Sequence, residues 1–155
     1  GCNEQNSTSY LIPSEVELDA NKGALKTWGN ITVLVPYGMT LTGGNESDPQ
    51  DPDFATVTKK DNTMNYVLFV IGDSEDDAKS NIETVRSENS GCQDVTLDAG
   101  VTWTGVAYQY SGTDVVQVYG TVNGRIAMVQ CCGFTADSEI VKAMLGSLKL
   151  TKRMS

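Results

Sequence analysis

Few side chains in this sequence are equipped for chemistry, and the shortage is informative. Histidine is absent altogether, against 4 cysteines and 20 carboxylates. Without histidine, Ser-His-Asp and Cys-His nucleophiles cannot be built, nor can HExxH metal sites or most catalytic zinc sites. Proton transfer near neutral pH would fall to an Asp, Glu, Lys or Cys with a strongly shifted pKa. Cys131 and Cys132 are adjacent. On a strand such neighbours point to opposite faces, so they cannot serve one metal or one redox partner, and no CxxC spacing occurs. The spacing and an oxidising compartment predict a structural disulfide from Cys92 to either Cys131 or Cys132. It would close about 40 residues and add roughly 3–4 kcal/mol. The remaining thiol of the three is then a small buried hydrophobe.

The carboxylates suggest one metal reading. Asp48, Asp51 and Asp53 share a loop with Asn45 and Glu46, an oxygen-rich set of the kind calcium selects. Pro49 and Pro52 occupy the wrong places for a calcium loop and no bidentate acid follows, so a solvated acidic loop without metal is expected. Asp73, Glu75, Asp76 and Asp77 are explained by the favourable field at a helix start. Gly43-Gly44 is not followed by Lys-Ser/Thr, and neither GxGxxG nor GxSxG occurs, so no cofactor is implied.

At 155 residues the chain is long enough for one domain with a sufficient core. Its formal charge is −9, and Lys59-Lys60 and Lys152-Arg153 are the longest basic runs. Nucleic acid, bound mainly by neutralising phosphates, would be repelled, as would an anionic lipid surface. Tyr66–Ile71 is the longest apolar run, far short of the roughly 20 residues that span a bilayer.

Several elements must position whatever site exists. Residues 1–23 read as a polar lead-in, 24–151 as one domain and 152–155 as a tail. Ala24–Trp28 and Ile31–Val35 form a hairpin across Gly29-Asn30, and Phe54–Lys60 and Asn65–Gly72 form a second pair. A helix starts at Asp73 or Ser74 and runs to about Asn89, with a thin apolar stripe of Ala78, Ile82 and Val85. Strands follow over Val101–Tyr110, Asp114–Val122 and Arg125–Phe134. A last helix, capped by Thr135 or Asp137, carries a firm stripe from Ile140 to Leu148.

Two resemblances attach to these residues. Gly1-Cys2 followed by the polar run Asn3–Ser9 resembles the processed start of a bacterial lipoprotein, which implies that Cys2 carries the lipid anchor and the polar run is a tether. Strands, a helix, three long strands and a closing helix leaving through Ser147-Leu148-Lys149 resemble the PsbP-like α/β/α sandwich. Val35-Pro36-Tyr37-Gly38-Met39 falls where that family ends a strand in Pro and a large residue. The fold implied is α+β, a largely antiparallel sheet with helices packed on it and a C-terminal helix. The bacterial members imply an accessory or binding role without catalysis.

Hairpin register supplies a candidate surface. Asn123-Gly124 supports a two-residue turn that sets Val122 opposite Arg125, Val118 opposite Val129 and Val116 opposite Cys131. If Ser111-Gly112-Thr113 joins the preceding pair, Val106 and Tyr108 fall on the core face. The outer face then holds Trp103, Gln109, Gln117, Tyr119 and Gln130, aromatics beside a row of glutamines suited to a shallow recognition groove. A one-residue slip in that loop inverts the first strand, and the first helix could instead cover the glutamines.

The resulting expectation is an extracytoplasmic domain, held at the bacterial cell surface through a lipid on Cys2. It would be a monomer that binds or scaffolds an extracellular protein or glycan without being an enzyme. Two other readings stay open: an Asp/Glu-dependent enzyme acting on extracellular glycans, and a calcium-dependent adhesion module.

Overall fold

A computed structural model describes residues 17–151. Ten strands and two helices follow in the order β1 (Asp19–Trp28), β2 (Ile31–Tyr37), β3 (Met39–Gly43), β4 (Phe54–Lys59), β5 (Asn62–Gly72), α1 (Glu75–Glu88), β6 (Gln93–Ala99), β7 (Val101–Tyr110), β8 (Thr113–Val122), β9 (Arg125–Cys132), α2 (Glu139–Ser147) and β10 (Lys149–Leu150). They make a seven-stranded sheet, ordered β3-β4-β5-β9-β8-β7-β6, and a three-stranded one, β1-β2-β10. Every pairing is antiparallel. The chain is therefore an α+β protein dominated by antiparallel sheet.

Alternation in the central strands places the main core. Val67, Phe69 and Ile71 of β5, Val116 and Val118 of β8, and Ala127, Val129 and Cys131 of β9 share one face. Against it pack Ile31, Val33 and Val35 of β2 and Val141, Met144 and Leu145 of α2, all but closed to solvent. The opposite face has a smaller apolar seam, in which Ile82 and Val85 of α1 meet Val106.

Each helix is started by a serine. Ser74 accepts from the Asp77 amide at 3.1 Å, with Glu75, Asp76 and Asp77 in the positive field of the first turn. Ser138, rather than Thr135 or Asp137, caps α2 by accepting from the Val141 amide at 3.2 Å. The Thr135 hydroxyl instead donates to Asp137.

Three further expectations are corrected. β1 begins at Asp19, inside the stretch read as lead-in, with a bulge between Asp19 and Ala24. Gln93–Ala99, which the sequence reading left without structure, is an edge strand ending at Gly100, whose φ is +77. Tyr110 pairs directly with Thr113, so Ser111 and Gly112 form a two-residue turn with φ 51 and 80, the mirror-image geometry that suits hairpins. The Asn123-Gly124 hairpin keeps the predicted register, with Val122 opposite Arg125, Val118 opposite Val129 and Val116 opposite Cys131.

Candidate functional site

The one-residue shift at Ser111-Gly112 decides which side chains meet. Gly105 now faces Val118 and Val106 faces Gln117, so the sides of β7 are exchanged relative to the sequence expectation. Trp103 turns inward to the main core, where it is fully buried and donates Nε1–H to the Ala99 carbonyl at 2.9 Å. Its ring lies over Gly120, where an added Cβ would come within 2.9 Å of it. Gln109 shares that parity and sits exposed at the strand end, donating to Asp114 at 3.0 Å. Neither residue lines the cleft beneath α1.

Val106 and Tyr108 take their places on the outer face. There the ladder sets Tyr66, Cys132, Val115 and Tyr108 in one row, and Leu68, Gln130, Gln117 and Val106 in the next. Gln117 and Gln130 are directly opposed. The Tyr108 hydroxyl donates to Gln117 Oε1 at 2.7 Å, and Gln130 Nε2 donates to the Tyr66 hydroxyl at 3.1 Å. Tyr119 and Met128 form part of the following row. Three of the five expected residues, Gln117, Tyr119 and Gln130, are thus brought together, and Tyr66 and Tyr108 join them.

Helix α1 covers part of this face. Between helix and sheet remains a cavity of about 120 Å³, lined by Ala78, Asn81 and Ile82 from α1 and by Leu68, Gln117, Tyr119, Met128 and Gln130 from the sheet, among others. The glutamines are half-buried at its wall rather than sealed beneath the helix. No Asp, Glu, Lys or Arg lines it. A pair of carboxylates facing each other across the cleft, as glycoside hydrolysis requires, is therefore not part of this site.

The phenols are held in their neutral form. Burial pushes Tyr66 above its ordinary value, the adjacent Cys132 adds to this, and the hydrogen bond from Gln130 works against it. Tyr108 is raised first by burial, then by Cys92 and Cys132. At neutral pH both rings keep their O–H, which can donate to one glutamine and accept from another.

Cys92, Cys131 and Cys132 are all free, and the expected disulfide is corrected. Cys131 belongs to the inner face, where burial drives its thiol up to about 12. Cys132 shares the outer face with Cys92, but Cys92 precedes Gln93 at the far edge, opposite β7. With β7 and β8 between β6 and β9, the two thiols lie three strand spacings apart, roughly 14 Å. Disulfides need Cα atoms within about 7 Å.

The acidic loop spends its oxygens on the chain itself. Asn45 Oδ1 accepts from the Ser47 and Asp48 amides at 2.9 and 3.0 Å, and Asp51 Oδ1 from the Asp53 amide at 2.9 Å. Asp53 grips Arg125 with both carboxylate oxygens at 2.9 and 3.2 Å, while Arg125 Nε reaches Asp73 at 3.0 Å. Among the described residues, no three metal-ligating side chains are grouped. The proposed anchor, Cys2, lies outside the described residues.

Tyr66 was missed because Tyr66–Ile71 reads as an unbroken apolar run, and only burial separates Tyr66, Leu68 and Val70 from Val67, Phe69 and Ile71. Asn81 carried no signal beyond its place on the helix between Ala78 and Ile82. No family model matches this chain, and no curated protein does either.

Proposed function

We propose that this domain binds a ligand in the cleft between α1 and the outer face of the seven-stranded sheet, without catalysing a reaction on it. The observation that carries this reading is the opposed pair Gln117 and Gln130, each fixed by a tyrosine and both at the wall of an uncharged cavity. Fixed amides on rigid, interior strands orient a ligand at little entropic cost. The Gly1-Cys2 start and its polar run support placing the domain outside the cell membrane on a lipid carried by Cys2. The order of elements supports a PsbP-like sandwich, with α1 on one side of the sheet and α2 and the small sheet on the other.

The binding reading is tested by soaking crystals with a library of small neutral, acidic and peptidic fragments. Bound fragments should gather between α1 and Gln117/Gln130 and be recovered chemically unchanged. Fragments gathered elsewhere, or converted to product, would overturn it. For the anchor, the precursor expressed in a bacterial host should yield a mature terminus at Cys2 with acyl mass on it. A terminus elsewhere or an unmodified Cys2 refutes that part alone.

A further inference from the structure

We infer that the ligand of this cleft is a neutral glycan, which presents the hydroxyl-bearing edge of one sugar ring to the open side of the cavity. The inference rests on the binding reading above and adds the chemical class. The first argument is charge. In a chain with 20 carboxylates, this cavity is walled by uncharged side chains only, so an ionic ligand would leave water without gaining a counter-charge.

The second argument is the hydrogen-bonding capacity left over. Gln117 Oε1 accepts from Tyr108, which leaves the two Nε2–H groups of Gln117 as donors. Gln130 Nε2 is committed to Tyr66, which leaves its Oε1 as an acceptor. Both residues are half-buried and line the cavity. They are directly opposed, so a donor and an acceptor stand on neighbouring strands of one wall. A sugar hydroxyl, which both donates and accepts, can meet either. Leu68, Met128 and the Tyr119 ring supply the apolar wall that the C–H face of a sugar needs.

The third argument removes one competitor, a peptide bound as an added strand. Such a peptide needs a free strand edge. The strands beneath the cavity, β5, β9 and β8, are interior, with backbone groups engaged on both sides.

The test is a titration of the full ¹⁵N-labelled chain, watching the side-chain amide resonances of Gln117, Gln130 and Asn81. The probes are unmodified tetrasaccharides of glucose, galactose, mannose and N-acetylglucosamine, a uronic-acid tetrasaccharide, and a capped tetra-alanine peptide. At least one neutral sugar should give saturable shifts at these amides. Gln117→Leu and Gln130→Leu should each weaken it about tenfold, the effect of losing one good hydrogen bond. Gln109→Ala, outside the cleft, should leave affinity within about twofold. Thermal melts of each variant separate lost contacts from lost folding. Shifts at these amides from the uronic acid or the peptide alone would overturn the glycan assignment and leave the binding reading standing. Silence at these amides with every probe would overturn both.

Discussion

Arg125 concentrates more electrostatic consequence than any other charged side chain described here. It is 2% exposed, and it holds together the acidic loop through Asp53, the start of α1 through Asp73, and the segment after β10 through the Thr151 carbonyl. Its guanidinium is stabilised first by the hydrogen bond to Asp53, against the cost of burial. Removing the cation leaves Asp53 facing a site built for a charge pair. Arg125→Ala should lower stability by about 2–4 kcal/mol, below the full cost of breaking a buried pair because both acids retain some solvent. Equilibrium urea unfolding measures it, and a change under about 1 kcal/mol would show that the network adds little. At Cys131 the sign of the pH effect follows from its elevated value of about 12 against 9.0 for a free thiol. Below pH 9 the thiol is protonated in both states and costs nothing. Between pH 9 and 12 the unfolded chain ionises it while the fold does not, so stability falls as pH rises. In Cys131→Ala, whose core is weaker overall, that alkaline decline should be shallower when urea midpoints are followed from pH 8 to 11. An equal decline in both proteins would contradict the assignment.

Among the elements, the two helices differ sharply in what holds them. α2 buries Val141, Met144 and Leu145 in the main core, and Ser147 Oγ accepts from the Leu34 amide at 2.8 Å. α1 buries only Ala78, Ile82 and Val85 and is otherwise polar or charged. Met144→Ala should cost about 3–5 kcal/mol and Ile82→Ala about 2 kcal/mol, since the latter enlarges a site that already opens to solvent. Thermal unfolding of both variants compares them, and equal losses would mean that α1 is seated more firmly than its contacts indicate. The hairpins show what sequence can and cannot convey at this scale. Asn123-Gly124 announced its turn because both residues tolerate positive φ, and its register followed. Ser111 adopts φ 51 although serine has no strong preference for it, so the neighbouring turn was legible only as a loop of uncertain length. That single residue moved Trp103 into the core and Val106 and Tyr108 out of it. β6 was passed over because Val95, Leu97 and Ala99 alternate with acids and threonine too weakly to stand out from a polar connection. Gly112→Val, forcing a branched side chain to φ 80, should destabilise by about 1–2 kcal/mol, checked by the same melts.

Taken as a whole, the molecule pairs one thick core with one thin seam. The α+β class and the firm C-terminal helix were legible because long strands and a strong apolar stripe are dictated by burial. The cleft was half legible: its glutamines follow from one well-specified turn, while its tyrosines depend on pairings between distant strands that no local pattern encodes. The thin seam under α1 has a consequence in time rather than in space. A helix fastened by three buried side chains can detach while both sheets persist, so its amides should exchange with deuterium through an opening far cheaper than global unfolding. The amides of β5, β8 and β9 should wait for the whole fold to open. Since Ala78, Asn81 and Ile82 form one wall of the cleft, anything that occupies it must hold α1 down. A ligand present at 100 times its dissociation constant would slow exchange of α1 by about 100-fold, and the amides that open only on global unfolding would slow by the same factor, since both openings release the ligand. Exchange rates along one helix thus become a clock for occupancy, readable before the occupant has been purified.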